Sequence, residues 1–114
     1  MRPRTVERRR GRRAQVDLSA SAHVGGYWHD ARAVDLSTSG FVLARAGSLR
    51  ERPLPEVVAI SVRLPDGRPV RARARAVWDE DQQTGLRFLG VSDVDRLRIA
   101  EYLDTLERAG RKLH

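Results

Sequence analysis

Strict two-residue alternation, repeated in separate segments, limits what this chain can become. From residue 16 to 24, Val16, Leu18, Ala20, Ala22 and Val24 fall on one face and Asp17, Ser19, Ser21 and His23 on the other. Only a half-buried β-strand has that period. Val58, Ile60, Val62 and Leu64 repeat the pattern within Val57–Leu64, as do Val70, Ala72, Ala74, Ala76 and Trp78 within Val70–Trp78, where Arg71, Arg73 and Arg75 take the other face. Pro65-Asp66-Gly67 separates the last two segments. Pro presets φ and Gly accepts a positive one, so the chain is expected to fold back there as a hairpin.

Shorter segments complete the set. Gly25-Gly26 ends the first strand as a turn, and a second runs from about Trp28 to Leu36 before the polar corner Ser37-Thr38-Ser39-Gly40. Phe41–Ala44 is a third strand, a Gly- and Pro-bearing loop occupies residues 45–56, and Gly85–Leu89 is a sixth strand. Six short strands at this spacing predict an all-β fold, a small six-stranded antiparallel barrel. The period then changes. Val94, Leu97, Ala100, Leu103 and Leu106 recur every third residue, broadened by Ile99 and Tyr102, which predicts a C-terminal α-helix. Ser92 suits its N-cap, Asp93 and Asp95 favour its first turn, and it is expected to end near Arg108, ahead of Gly110. The chain therefore divides into a flexible Arg-rich arm, residues 1–15, and a barrel with its helix, residues 16–110.

The net charge of +7 is unevenly placed, because residues 1–13 hold seven arginines against Glu7 alone and so carry +6 of it. A duplex-binding domain spreads cations over a folded face to track phosphates, whereas this concentration suits a small anion or a tethered tail. Nucleic acid is the less favoured partner. With no Cys and three scattered His (His23, His29, His114), no metal site is predicted. No apolar run is long enough to cross a membrane, and the Arg-rich start lacks a signal peptide's apolar core, so a cytoplasmic protein without membrane insertion is expected. The sequence holds no Gly-rich phosphate loop and no Ser/His/acid set in plausible context, which points away from an enzyme.

Two clusters carry chemistry. Arg8-Arg9-Arg10-Gly11-Arg12-Arg13 offers guanidinium forks that match phosphate oxygens and the O6/N7 edge of guanine, and arginines outnumber lysines by 21 to one. Asp35-Leu36-Ser37-Thr38-Ser39-Gly40 supplies a carboxylate that can accept from guanine N–H groups, hydroxyls, and a Gly that allows close backbone approach. Read locally, the second cluster is also an ordinary turn in which Asp and Ser bond backbone and Gly supplies positive φ.

In order and spacing these clusters resemble the PilZ domain, a bacterial receptor module for cyclic di-GMP. The family's R-x-x-x-R motif fits Arg9 to Arg13, with Arg8 to Arg12 as a competing register, and its D/N-x-S-x-x-G motif fits Asp35, Ser37 and Gly40. Ala76-Val77-Trp78, Gly85-Leu86-Arg87-Phe88 and Asp95-Arg96-Leu97-Arg98-Ile99 resemble its closing strands and helix. The resemblance implies that Arg9 and Arg13 clamp phosphate and the guanine Hoogsteen edge. Asp35 and Ser37 would bind guanine or organise the loop that Gly40 shapes. Arg8, just before the motif, implies two intercalated ligand molecules. Trp78 matches a position where some members set an aromatic ring against guanine, although the alternation alone assigns it to the core. The implied function is signal reception, with cyclic di-GMP as ligand rather than a resident cofactor, passed on to an unidentified protein partner. A degenerate adaptor that binds no nucleotide and a nucleic-acid binder using the Arg tail are the alternatives.

Overall fold

A computed structural model describes residues 12–110. Six antiparallel strands close into a barrel: β1 (Arg13–Val24), β2 (Tyr27–Ser37), β3 (Gly40–Arg45), β4 (Val57–Arg63), β5 (Pro69–Glu80) and β6 (Gln83–Phe88), followed by helix α1 (Asp93–Arg108). Around the barrel the order is β1-β2-β3-β6-β5-β4, and β4 pairs back onto β1. The expected all-β class thus holds for the barrel, with the helix as an added α element.

The alternating apolar faces line the interior. Leu18, Ala20 and Ala22 of β1 meet Ala31, Ala33 and Leu36 of β2, Leu43 of β3, Val58, Ile60 and Val62 of β4, Val70 and Ala74 of β5, and Leu86 and Phe88 of β6. Small side chains on β1 and β2 leave room for the large ones opposite, as a narrow barrel requires. The β3–β4 connection must cross one end, since these strands lie on opposite sides of the ring. A 3-10 turn at Gly47–Leu49 carries Leu49 into the core there. His29 anchors this turn: one ring nitrogen lies 2.6 Å from Ser48 Oγ and the other 2.9 Å from the Val24 carbonyl oxygen.

Helix α1 covers the other end, burying Ile99, Leu103 and Leu106. Ser92 caps it by accepting from the Asp95 N–H at 3.1 Å. Arg98 donates to Asp95 Oδ1 at 2.8 Å and to both carboxylate oxygens of Asp66 at 2.8 and 2.9 Å, tying the helix to the Pro65-Asp66-Gly67 hairpin. In that turn Gly67 takes the positive φ, +91°, that the sequence anticipates. No helix among the described residues is long and apolar enough to cross a membrane.

The strands differ from the sequence reading where the ladder is irregular. β1 begins at Arg13, three residues before the alternation at Val16, because a bulge between Gln15 and Leu18 breaks its phase. Ala14 is buried and pairs with Leu36, so residues 13–15 belong to the barrel wall. A second bulge places one extra residue, Val77, in β5 between the pairs Ala76–Leu86 and Trp78–Gly85. One extra residue reverses every later side chain. Trp78 therefore leaves the apolar face of Val70, Ala72, Ala74 and Ala76, stands outside the barrel, and is 43% exposed rather than part of the core.

Candidate functional site

Strand pairing builds the site as one lateral row. Gln15 of β1 pairs with Asp35 of β2, Asp35 with Val42 of β3, Val42 with Gly85 of β6, and Gly85 with Trp78 of β5. Residues distant in the chain thus share a line across five strands. Three bulges flank it, the two already described and a third at Val34 of β2 between the pairs Ala33–Leu43 and Asp35–Val42. Bulges re-aim side chains and sharpen local twist. Here they curve the outer surface into a depression of about 370 Å³ lined by Arg13, Gln15, Val34, Asp35, Val42, Trp78 and Gln83.

One bank of the depression is charged. Arg13 Nε lies 3.9 Å from Asp35 Oδ1, with the Arg13 side chain 57% and the Asp35 side chain 21% exposed. That contact is long for a hydrogen-bonded ion pair, so the two groups are held near one another by charge rather than by a direct hydrogen bond. Asp35 belongs to a strand rather than to the turn itself, which comprises Ser37 to Gly40. The other bank is aromatic. The Trp78 indole lies over Gly85 so closely that a Cβ there would come 2.2 Å from its Nε1. Glycine at this point lets the ring rest flat on β6 and present its outer face. The strand end beneath it is fixed by Arg45, which donates to Asp79 Oδ2 at 2.8 Å, while buried Thr84 donates to Asp79 Oδ1 at 3.0 Å.

Ser37 and Gly40 shape the turn beside the site. Ser37 is buried, and its Oγ accepts from the Ser39 N–H at 3.1 Å and lies 3.0 Å from Ser39 Oγ. Gly40 does not use positive φ. It is required because β3 and β6 run so close that a Cβ would meet the Leu86 carbonyl oxygen at 2.1 Å. The Phe88 N–H donates to Ser39 O at 2.9 Å and Arg96 to Thr38 O at 3.1 Å, which pins the turn to β6 and to α1.

Of the arginine cluster, Arg8 and Arg9 lie outside the described residues, and Arg12 and Arg13 point to different elements. Arg12 bonds Asp104 at 2.8 Å and Glu107 at 2.9 Å on α1. The hydrogen bond to Asp104 outweighs the opposing effect of burial and raises its pKa above the ordinary arginine value. Arg13 alone of the two reaches the depression. The sequence reading did not single out Gln15, Val42 or Gln83. All three occupy outward positions of their strands, but only the ladder register shows that they face the same space as Asp35.

The structure is thus a closed six-stranded barrel with a C-terminal helix over one end and, on its outer wall, a depression with a carboxylate-arginine bank and an aromatic bank. A PilZ domain family model matches residues 7–105, and the chain belongs to that family. Among solved structures it is similar to the inhibitor of motility MotI/DgrA of Bacillus subtilis, with a TM-score of 0.75 at 15% identity over 92% of this chain and 54% of that one. It is also similar to YcgR of Escherichia coli in complex with c-di-GMP, with a TM-score of 0.68 at 19% identity over 90% of this chain and 47% of that one. A Legionella protein described as uncharacterized gives 0.60 at 13% identity, over 85% and 95% of the two chains. The chain thus spans about half the length of MotI and YcgR. A search of curated protein sequences gives no match.

Proposed function

We propose that this domain is a non-catalytic receptor for cyclic di-GMP in a bacterial cytoplasm, and that the depression of Asp35, Arg13 and Trp78 is where the ligand binds. The observation that carries the reading is the single row running from Gln15 through Asp35 to Trp78. It sets an acceptor, a guanidinium and an aromatic face around one space, which are the three groups a guanine base needs. Asp35 accepts from the base N1–H and N2–H groups, Arg13 donates to O6/N7 or to phosphate, and Trp78 stacks on the ring. Ser37 and Gly40 act by shaping the turn. Family membership and the likeness to a structure solved with c-di-GMP support the same ligand.

In this reading Arg9 and Arg13 form the R-x-x-x-R pair, since Arg12 is engaged by α1. Arg9 closes over the ligand from the N-terminal arm, and Arg8 accommodates a second, intercalated molecule. The bound arm passes the signal to a downstream protein. Calorimetric titration with cyclic di-GMP, with GTP and a short DNA duplex as controls at two salt concentrations, tests the reading. Saturable binding selective for the cyclic dinucleotide is expected. Arg13→Ala and Asp35→Ala each lower affinity roughly 10- to 100-fold, the loss of one or two charge-assisted hydrogen bonds, with the circular dichroism of the barrel retained. Parental affinity in either variant overturns the site. Absence of binding leaves an adaptor, and salt-sensitive duplex binding instead leaves a nucleic-acid tail.

A further inference from the structure

The outward side of β4 and β5 holds a second organised surface that shares no residue with the depression. Arg71, Arg73 and Arg75 project from alternate positions of β5 and are exposed. Alternate residues of a strand stand about 6.6–6.8 Å apart. Arg75 donates to Glu56 and sits directly opposite Arg87 on β6. Among the described residues neither Arg71 nor Arg73 has an ion-pair partner.

The neighbouring strand is low beside this row. Ser61, Ala59 and Val57 of β4 pair with Arg71, Arg73 and Arg75 respectively, so the short side chains of Ser61 and Ala59 lie lower than Arg71 and Arg73 beside them and floor a trough whose β5 bank is cationic. Its β1 bank is formed by Ser21, opposite Ser61, and His23, opposite Ala59. His23 meets the Trp28 ring edge-on, with centroids 5.2 Å apart at 63°. Trp28 is 52% exposed, and Tyr27 beside it 72%. An arginine row facing an exposed aromatic pair has the composition of a recognition surface, where Trp, Tyr and Arg supply most of the binding energy.

We propose that this trough docks an extended protein segment with acidic side chains at alternate positions and an apolar group that reaches Trp28. The barrel is closed by the β1–β4 pairing, so no strand edge is free on this side for main-chain pairing and recognition must use side chains. Carboxylates two residues apart in an extended chain match the spacing of Arg71 and Arg73, and the guanidinium fork matches a carboxylate in bidentate geometry. Charge also sets which bank the acids face, because Asp30 stands on β2 beyond Ser21 and repels acids from the β1 bank. A nucleic acid is the poorer occupant. Its backbone calls for a cationic groove along its whole track, whereas here only one bank is basic and residues 12–110 hold fifteen arginines against fourteen carboxylates.

The test is a nitrogen-15 NMR titration of the full chain with a synthetic peptide alternating Glu and Thr and ending in Leu, taken to millimolar peptide. Shifts are expected at Ala59, Ser61, Arg71, Arg73 and the Trp28 indole N–H, with the depression residues Asp35, Val42 and Trp78 unmoved. The Arg71→Gln/Arg73→Gln double variant lowers peptide affinity about tenfold or more, the loss of two exposed pairs. Arg50→Gln/Arg108→Gln, which removes the same charge elsewhere, leaves it within about twofold. Absence of shifts, shifts confined to the depression, equal loss in the two double variants, or stronger binding of a thymidine oligonucleotide than of the peptide overturns the proposal. Because the two surfaces share no residue, failure here leaves the nucleotide reading of the depression standing, and the reverse also holds.

Discussion

Two glycines, Gly40 on β3 and Gly85 on β6, stand within two residues of one another across the same strand pair, yet the same substitution to alanine should act on them through different physics. At Gly40 the new Cβ meets the Leu86 carbonyl oxygen at 2.1 Å and the Arg87 Cα at 3.0 Å, both backbone atoms of the paired strand. Ordinary contact begins near 3.4 Å, so β3 and β6 must part by more than an ångström at the point where Phe88 N–H reaches Ser39 O. Overpacking of this kind costs about 1–3 kcal/mol and the loosened ladder bond about 1 kcal/mol more, offset by about 0.4–1 kcal/mol from the stiffer unfolded chain. The net is about 2–3 kcal/mol, or roughly 8–24 °C in Tm for a domain of this size. At Gly85 the obstacle is the Trp78 indole, 2.2 Å from the new Cβ but half-exposed and free to swing outward. Stability should change by less than about 1 kcal/mol, whereas the aromatic platform is displaced. Urea denaturation followed by circular dichroism measures the first quantity. Trp78 fluorescence in a Trp28→Phe background measures the second, with a red shift expected for Gly85→Ala only. Equal destabilisation by the two substitutions, or a Gly85→Ala protein whose Trp78 emission is unchanged, would mean that the two glycines do not differ in this way.

Other consequences are as direct. Leu103→Ala leaves a cavity under α1 at a position 1% exposed and should cost about 2–5 kcal/mol in urea denaturation. Ser37→Ala strips the Ser39 N–H of its partner in a part-buried turn and should cost about 1 kcal/mol in urea denaturation. Asp66 is held below the usual carboxylate range, first by the Arg68 backbone N–H and then by the Arg98 side chain. Its contribution is therefore complete above the ordinary carboxylate pKa and is lost as pH falls through the lowered value. Urea midpoints measured from neutral to strongly acid pH should show a smaller acid-side decline in Asp66→Asn than in the parent.

Much of the barrel was legible because local periodicity and turn chemistry agree with it. The alternations at 16–24, 57–64 and 70–76 assign the inward faces correctly, Pro65-Asp66-Gly67 is the hairpin it reads as, and Ser92 caps the helix. The errors fall where one residue is inserted into a ladder. No propensity marks Val77 as a bulge, so alternation carries Trp78 inward when the barrel turns it out. The β5–β6 turn is likewise unmarked, since Asp81 and Gln82 adopt positive φ, 53° and 67°, without glycine.

The residue types of the site were set by the sequence alone: an arginine cluster, then Asp35, Ser37 and Gly40 in motif spacing, then an aromatic residue late in the chain. Side-chain chemistry and short-range order are properties of the chain itself, and they survive any fold. Which of these residues share a surface was decided only by tertiary structure. The pairings that join Gln15 to Asp35, Asp35 to Val42, and Val42 through Gly85 to Trp78 link segments up to 63 residues apart, and their register depends on closure of the whole barrel. Closure also sent Arg12, just ahead of β1, to the helix and Arg13, the first residue of β1, to the depression, and the sequence did not reveal where that strand begins.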